Sequence, residues 1–257
     1  SGWTYPYASD LNLTKQGLLI ACNEEPTELI NKRKPVEFTK NASFVKKGMQ
    51  QPYELFEVPC VRTSVERAWL SIPGEIEYIE NITEYTDKGI FDFLPRANAT
   101  IGSKVDFPRN NVEKCGNIIG VSHNGQMAIE AVEDAVSNVF ITLKPNNQET
   151  NKFLDNITKE DEYLFPPSAF EKVSADDINK ICGKIPANSP VTEYIPNILM
   201  QEKYKNLKDW SFNTIEQIAK KFDILRVKHP ELDAKKFWSS VIRGGLQAAV
   251  YISDSQS

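Results

Sequence analysis

One stretch of the sequence constrains the fold more than any other: CGNIIGVSHNGQMAIEAVEDAVSNVFITLKP, from Cys115 to Pro145. The apolar residues 117–122 predict a β-strand, and Asn124-Gly125 predicts a turn in which Asn124 caps a helix. Residues 126–139 predict an amphipathic helix, because their apolar members recur at helical spacing. The run VFITLK predicts a second strand, so the stretch indicates a helix packed on a sheet. The apolar members of the helix are Met127, Ala131, Val132, Ala135, Val136 and Val139.

The chain before Pro145 is mainly strand-like in pattern. Alternating apolar and polar residues predict two strands in KPVEFTKNASFVKKGMQQPYELFEV. They predict another in GEIEYIENIT, where Ile76, Tyr78 and Glu80 share a phase. The first ten residues, SGWTYPYASD, predict an extended segment, and LTKQGLLIACNEE predicts a helix. This part of the chain therefore indicates a mostly antiparallel sheet with one or two packed helices.

The chain after Pro145 changes character. A polar stretch with Pro166-Pro167 marks a candidate boundary, and Ser174 and Ser211 predict the N-caps of two later helices. We therefore predict an α+β protein with a sheet-containing region at residues 1–165 and an α-helical region at residues 166–257.

Composition excludes several classes of function. The chain has 257 residues, a net charge of -5 and a pI of about 5.3, with no long basic run, which argues against a nucleic-acid partner. Only two histidines are present, and the four cysteines are far apart, so the zinc pattern is weak. The apolar stretch from Phe237 to Ile252 is too short and too polar to span a bilayer, which argues against a membrane partner. The chain contains none of the P-loop, GxGxxG, GxSxG and HExxH motifs.

Two features keep a secreted or surface glycoprotein, acting as a non-catalytic binding module, as an alternative. Five Asn-x-Ser/Thr sequons occur, and the number of cysteines is even. Against this, scattered cysteines in a chain of this size are more often reduced core residues, and no signal peptide is visible. A third possibility is a partner-binding module, which residues 211–252 would favour if they exposed an apolar patch. The sequons begin at Asn12, Asn41, Asn81, Asn98 and Asn156.

Single residues offer only isolated candidates, and the catalytic residues stay unknown. Arg96, between Pro95 and small residues, is the best single candidate for contacting an anion. His123 lies in the turn before the predicted helix, where it could orient an anionic ligand, act as a base or simply be exposed. The aromatic residues Trp3 and Tyr5 could line a pocket or plug the edge of a core. No metal site is predicted.

The region from about Phe38 to Pro145 resembles the C-terminal part of the ATP-grasp ligases. It is most similar to glycinamide ribonucleotide synthetase (phosphoribosylamine–glycine ligase) and its relatives. Residues 44–53, FVKKGMQQPY, look like the first piece of that pattern. Residues 116–121, GNIIGV, and the helix from Gly125 to Val139 look like the last piece. The segment LPRANATIGS lacks the histidine that the family has there.

The resemblance implies an ATP-grasp C-terminal-like α+β domain at residues 1–165 and a further helical domain at residues 166–257. It implies the substrate-side part of an ATP-dependent carboxylate–amine ligase that is inactive alone and cytoplasmic. ATP and magnesium would be bound by an N-terminal part that is not found in this chain. The expected partners are a small-molecule substrate and either that N-terminal part or a second copy of the chain. The substrate contacts would be Arg96, Asn98 and His123, with Trp3 and Tyr5 near the join.

Overall fold

The fold combines α-helices with antiparallel sheets, which confirms the predicted α+β class. The computed structural model describes residues 4–36, 56–80, 89–95, 99–155, 165–170, 173, 175–185, 195, 197–226 and 233–254.

The described part of the chain contains eight strands: β1 (Lys34–Pro35), β2 (Phe56–Glu57), β3 (Thr63–Trp69), β4 (Gly74–Glu80), β5 (Ile90–Pro95), β6 (Lys104–Val105), β7 (Gly116–Ser122) and β8 (Phe140–Leu143). Its α-helices are α1 (Thr4–Ser9), α2 (Leu13–Ala21), α3 (Thr27–Lys32), α4 (Gly125–Ser137), α5 (Gln148–Asp155), α6 (Ala175–Lys184), α7 (Ile215–Arg226) and α8 (Ala234–Asp254). A short 3₁₀-helix spans Asn197–Met200.

The strand and helix predicted from the most constraining stretch are both confirmed. The strand is β7, the central strand of a three-stranded antiparallel sheet of order β3–β7–β5. The helix is α4, whose first turn is capped by the side chain of Asn124 accepting from the backbone N–H groups of Gln126 and Met127. The run VFITLK forms β8, in a second antiparallel sheet of order β6–β4–β8.

Helix α4 packs on one face of the first sheet because two glycines leave room there. A Cβ on Gly120 would lie 2.5 Å from Val132 of α4, and a Cβ on Gly116 would lie 2.3 Å from the indole of Trp69. Trp69 and Gly116 are direct partners across β3 and β7, so the ring lies over the bare backbone of its neighbour. The opposite face of the sheet therefore carries the other set of β7 side chains.

The alternation predicted for GEIEYIENIT is interrupted. Ile76 is completely buried, whereas Tyr78 is 51% exposed. A register shift between these two residues in the pairing of β4 with β8 accounts for the difference, because a bulge moves the following side chains to the other face. The prediction that Ile76 and Tyr78 share a face was wrong for this reason.

The prediction of an extended N-terminal segment was also wrong, because Thr4–Ser9 forms α1. Pro6 lies in the first turn of that helix, where its missing N–H costs no intrahelical hydrogen bond. The predicted N-cap at Ser211 was wrong by three residues. Thr214 caps α7 instead: its hydroxyl accepts from the backbone of Gln217 (3.2 Å), whose side chain accepts from the backbone N–H of Thr214 (2.8 Å).

Helix α8 covers the edge of the second sheet. The side-chain amide of Gln247 accepts from the backbone N–H of Ile141 (3.1 Å) and donates to the carbonyl of Val139 (3.2 Å). It therefore satisfies one backbone group of β8 and one of the residue just before it, on the side that does not face β4. One cluster of buried apolar residues includes Trp69 and Ile76 as well as Phe237 and Tyr251, so α8 shares a core with the sheets. The boundary near residue 165 stays a prediction.

Most of α8 is buried, including the whole run from Ser240 to Ser253. Its apolar residues are therefore core, and they form no patch for a partner. Among the described residues, no helix is both long enough and apolar enough to cross a membrane.

Replacing Gly116 by alanine should test the close approach of Trp69. We expect Gly116→Ala to lower the free energy of unfolding by about 1–3 kcal/mol, because the new methyl group overlaps the indole. Gly17→Ala is the matched control: Gly17 is an exposed position of α2, and a Cβ there would meet open space, so alanine should stabilise by roughly 0.5–1 kcal/mol. Urea unfolding followed by circular dichroism measures both. Equal effects of the two changes would contradict the packing described.

Candidate functional site

The face of the β3–β7–β5 sheet opposite α4 carries an unusual set of polar side chains. Glu66 pairs with Ile119 across the sheet, Ser64 with Val121 and Ala68 with Asn117, so these residues share one face. The neighbouring Arg67 lies on the other face, within 3.9 Å of Glu133 on α4. Lys114, just before β7, joins the first set through an ion pair with Glu66. We call Ser64, Glu66, Lys114 and Asn117 the polar face.

The central feature of the polar face is a buried ion pair. The ammonium of Lys114 lies 3.0 Å from a carboxylate oxygen of Glu66, and only 7% of the lysine side chain is exposed against 24% for the glutamate. Removing a lysine from water is costly, and a single carboxylate uses only part of its hydrogen-bonding capacity. The ammonium therefore keeps donors for a further acceptor.

Two buried polar atoms of this face have no hydrogen-bond partner among the described residues. Asn117 is 2% exposed, and its amide oxygen accepts no hydrogen bond; the hydroxyl of Ser64 is likewise unpaired. Leaving such groups unpaired costs roughly 1–3 kcal/mol each. A buried unpaired group in a folded protein calls for an explanation, and a ligand that supplies the missing partner is one.

Taken together, the polar face offers a cation, an anion and an unused acceptor on one side of the β3–β7 pair. Such a set can hold a small molecule that carries both a carboxylate and an amine: the carboxylate beside Lys114, and the amine between Glu66 and the oxygen of Asn117. None of these residues is placed to act as a nucleophile.

Two of the residues predicted to contact substrate lie near the opposite end of β7. The hydroxyl of Tyr5 donates to the carbonyl of Val58 (3.4 Å), and Nδ1 of His123 lies 3.2 Å from the carbonyl of Val61. Both thus contact the segment that leads into β3. The length of β7 separates them from Lys114 by about 20 Å.

The other predicted contacts, Arg96, Asn98 and Trp3, lie outside the described residues. Strand β5, which precedes Arg96, ends at Pro95 opposite Gly116, next to Asn117 in sequence. The substrate role of all five residues stays a prediction.

The cysteines differ in environment. Cys22 and Cys60 are exposed free thiols, which contradicts the expectation that the cysteines are core residues, whereas Cys115 is a buried free thiol. Burial raises the pKa of the Cys115 thiol to about 12, although a hydrogen bond to the backbone of Ser71 acts in the opposite direction. Cys115 therefore cannot supply a thiolate nucleophile at neutral pH.

The described residues contain no candidate metal cluster and one of the five sequon asparagines. Within the described ranges, no three His, Cys, Asp or Glu side chains come together to hold a metal ion. Of the five sequons, only Asn12 is described; its side-chain oxygen caps α2 by accepting from the backbone of Lys15 (3.0 Å). That bond leaves the amide nitrogen, where a glycan would be attached, available.

Sequence reasoning missed the polar face. Asn117 is the first residue of the predicted strand and Lys114 precedes it, whereas Glu66 lies in a region to which no strand was assigned. An asparagine inside an otherwise apolar strand run was the available signal, because asparagine is depleted in strands. Without the pairing of β3 with β7, nothing in the sequence brings Glu66 to Lys114.

No protein-family model matches the chain, and no curated protein matches it either. Among solved structures, the chain is similar to the crystal structure of phosphoribosylglycinamide synthetase from Anaerococcus prevotii, with 12% sequence identity and a TM-score of 0.40. The match covers 56% of this chain and 30% of that chain, so it spans under a third of the other protein's length.

Replacing Asn117 by leucine should test whether this asparagine contributes to stability. We expect Asn117→Leu to leave the free energy of unfolding unchanged or to raise it by up to about 2 kcal/mol, because the amide oxygen it removes has no partner among the described residues. Asn213→Leu is the control: Asn213 is also buried and its amide oxygen is likewise unpaired, but its amide nitrogen donates to the carbonyls of Ser137 (3.3 Å) and Ser211 (3.1 Å). The control should lose about 1–3 kcal/mol in urea unfolding. A loss of that size at Asn117 would show that it is structural.

The thiols should differ in reactivity in the order of their exposure. Iodoacetamide at pH 8 should modify Cys22 and Cys60 in the folded protein and leave Cys115 unmodified, because burial keeps the latter protonated. Peptide mass spectrometry reads each position, and guanidinium should make Cys115 react. Rapid modification of native Cys115 would contradict its burial.

Proposed function

We propose that the chain is the substrate-side part of an ATP-dependent carboxylate–amine ligase, and that it binds a small substrate at the polar face. The single observation that carries the proposal is the unpaired amide oxygen of Asn117 beside the buried Lys114–Glu66 ion pair. A ligase that joins a carboxylate to an amine must recognise both groups, and this face offers a counterpart to each.

The position of the polar face in the sequence supports the proposal. Asn117 lies on β7, the strand of the segment GNIIGV that resembles the ATP-grasp ligases, and α4 follows it as that resemblance expects. The glycines that give the segment its pattern serve packing: Gly116 admits Trp69, and Gly120 admits α4. Asn117, which lies between them in sequence, points to the other face and is left for binding.

ATP and magnesium are the cofactors that such a ligase requires. Magnesium takes oxygen ligands in an octahedral arrangement, and no cluster of three acidic, His or Cys side chains occurs in the described ranges. We propose that both are bound by an N-terminal part of the ligase. No chemical step is assigned to this chain; its residues bind the substrate and hold it in position.

Glycine, the smallest molecule with both groups, is a suitable probe for the polar face. In ¹H–¹⁵N spectra of the whole chain, millimolar glycine should shift the side-chain amide of Asn117, while acetate and methylamine, which carry one group each, should bind more weakly. Lys114→Met should abolish this shift, and Asn117→Leu, which has no side-chain amide, should abolish the shifts that glycine causes in the backbone amides of β7. Lys152→Met, which removes an exposed lysine in the last turn of α5, is the matched control for Lys114→Met and should retain the glycine shift.

Other outcomes would contradict the proposal. If none of the three molecules moves the amide of Asn117, the polar face is not the binding site. If Mg·ATP binds this chain with micromolar affinity, the assignment of ATP to another part is wrong. A glycan at Asn81 or Asn98 of the natively expressed protein would exclude a cytoplasmic ligase.

A further inference from the structure

Helix α8 contains a hinge. Gly245 has φ 62° and ψ -147°, so the helix bends there and Leu246–Asp254 continues as a second segment. The left-handed φ favours glycine, and a Cβ at this position would lie 2.4 Å from a carboxylate oxygen of Asp209. The bend therefore depends on both the glycine and the side chain packed against it.

Asp209 holds the second segment at its first residue. One carboxylate oxygen accepts from the backbone N–H of Leu246 (2.7 Å), which has no partner in its own helix because it follows the bend. The other oxygen accepts from the backbone N–H groups of Ser211 (2.9 Å) and Asn213 (2.8 Å). A side chain remote in sequence thus acts as the N-cap of half a helix.

The charged groups around Asp209 leave it without a direct ion pair among the described residues. Lys221 on α7 attracts its charge from a distance, and Asp134 on α4 acts in turn on Lys221. The ammonium of Lys221 itself bonds to the carbonyl and the hydroxyl of Ser137 at the end of α4. The carboxylate of Asp209 is therefore held mainly by backbone N–H groups.

Two other nearby charges are directed elsewhere. Arg243 on α8 donates to the carbonyls of Phe153 (3.1 Å) and Pro167 (2.8 Å). Lys208, next to Asp209 in sequence, pairs with Glu133 on α4 at 2.9 Å.

We propose that the bend in α8 is a proton-controlled hinge: ionised Asp209 fixes the Leu246–Asp254 segment, and protonated Asp209 releases it. The carboxylate has acceptors only, and all three of its hydrogen bonds use them. When a proton binds to the oxygen facing Leu246, that oxygen becomes a hydroxyl donor opposite an N–H donor. The bond to Leu246 is then lost, while the other oxygen can keep Ser211 and Asn213.

The proton is taken up in a physiological range. Burial raises the pKa of Asp209 from 3.8 to about 6, against the opposing effect of the backbone hydrogen bonds from Leu246, Asn213 and Ser211 and of Lys221. Because the folded protein then binds this proton more tightly than the unfolded chain, the contribution of Asp209 to the unfolding free energy rises as the pH falls through about 6. The contribution of Asp209 to global stability and the order of the hinge therefore change in opposite directions.

The segment Leu246–Asp254 makes two polar contacts with its neighbours, one with β8 and one with α5 and the residue before it. Gln247, the residue after Leu246, bonds to the edge of β8. The hydroxyl of Tyr251 accepts from the backbone of Asn147 (3.0 Å) and donates to the side chain of Asn151 on α5 (2.8 Å). Loss of the Leu246 bond loosens the end of the segment that carries Gln247. Protonation of Asp209 therefore weakens the contact between Gln247 and the edge of β8.

The test follows the whole ¹⁵N-labelled chain from pH 8 to pH 4.5. The amides of Leu246, Ser211 and Asn213 should titrate together with a midpoint near 6. The hydrogen-exchange protection factor of Leu246, corrected for the intrinsic pH dependence, should fall about tenfold below the midpoint, as for loss of one charge-assisted hydrogen bond. Over the same range, urea unfolding should show that the unmodified protein gains stability relative to Asp209→Asn, which separates hinge release from acid unfolding.

Two variants complete the test. Asp209→Asn cannot ionise and presents an N–H₂ group or a single acceptor, so Leu246 should be poorly protected at every pH and the titration should vanish. Asp176→Asn changes an exposed residue in the first turn of α6 and is the matched control. It should alter neither the protection of Leu246 nor the titration of the Leu246 amide. A Leu246 amide that does not titrate between pH 5 and pH 7 in the unmodified protein overturns the proposal, whether or not the Asp209 variant folds. Stability that falls relative to Asp209→Asn, together with lower protection of Leu246, would also overturn it, because both would then report unfolding.

Discussion

The packing of α4 and Trp69 against the bare backbone of β7 is the contact on which the first sheet depends. Strand β7 is the central strand, and nearly all its residues are buried. On one face its glycines admit an indole and a helix, so groups from outside the strand fill that face on either side of Ile118. This division leaves the other face of β7 to side chains of its own, and there the apolar Ile119 and Val121 accompany Asn117.

A buried asparagine among apolar neighbours is difficult to explain by stability alone. Leucine or isoleucine at position 117 would fill a similar volume without an unpaired oxygen. The same holds for the Lys114–Glu66 pair, since hydrophobic replacements of buried ion pairs are often neutral or stabilising. Sites where local stability is given up are commonly sites of binding, and the polar face groups three such residues on one strand pair.

The sequence predicted those elements whose signals are local. Strand β7, helix α4 and its cap at Asn124 follow from apolar spacing and one capping residue, and all three are present. The bulge in β4 could not be predicted, because it depends on the register with β8. The polar face could not be predicted for the same reason: Glu66 and Lys114 are 48 residues apart and meet only through the pairing of β3 with β7.

The two halves of α8 show how one polar contact can decide the path of an apolar helix. Nearly every side chain from Ser240 to Ser253 is buried, so hydrophobic burial holds the helix in the core but does not set the angle at Gly245. The angle is set by hydrogen bonds, which are directional: Asp209 fixes Leu246 on one side of the bend, and Gln247 matches the edge of β8 on the other. Because the charge on Asp209 is buried, its hydrogen bonds are strong and its ionisation is costly. The group that orients the helix is therefore also the group whose protonation near pH 6 would release it.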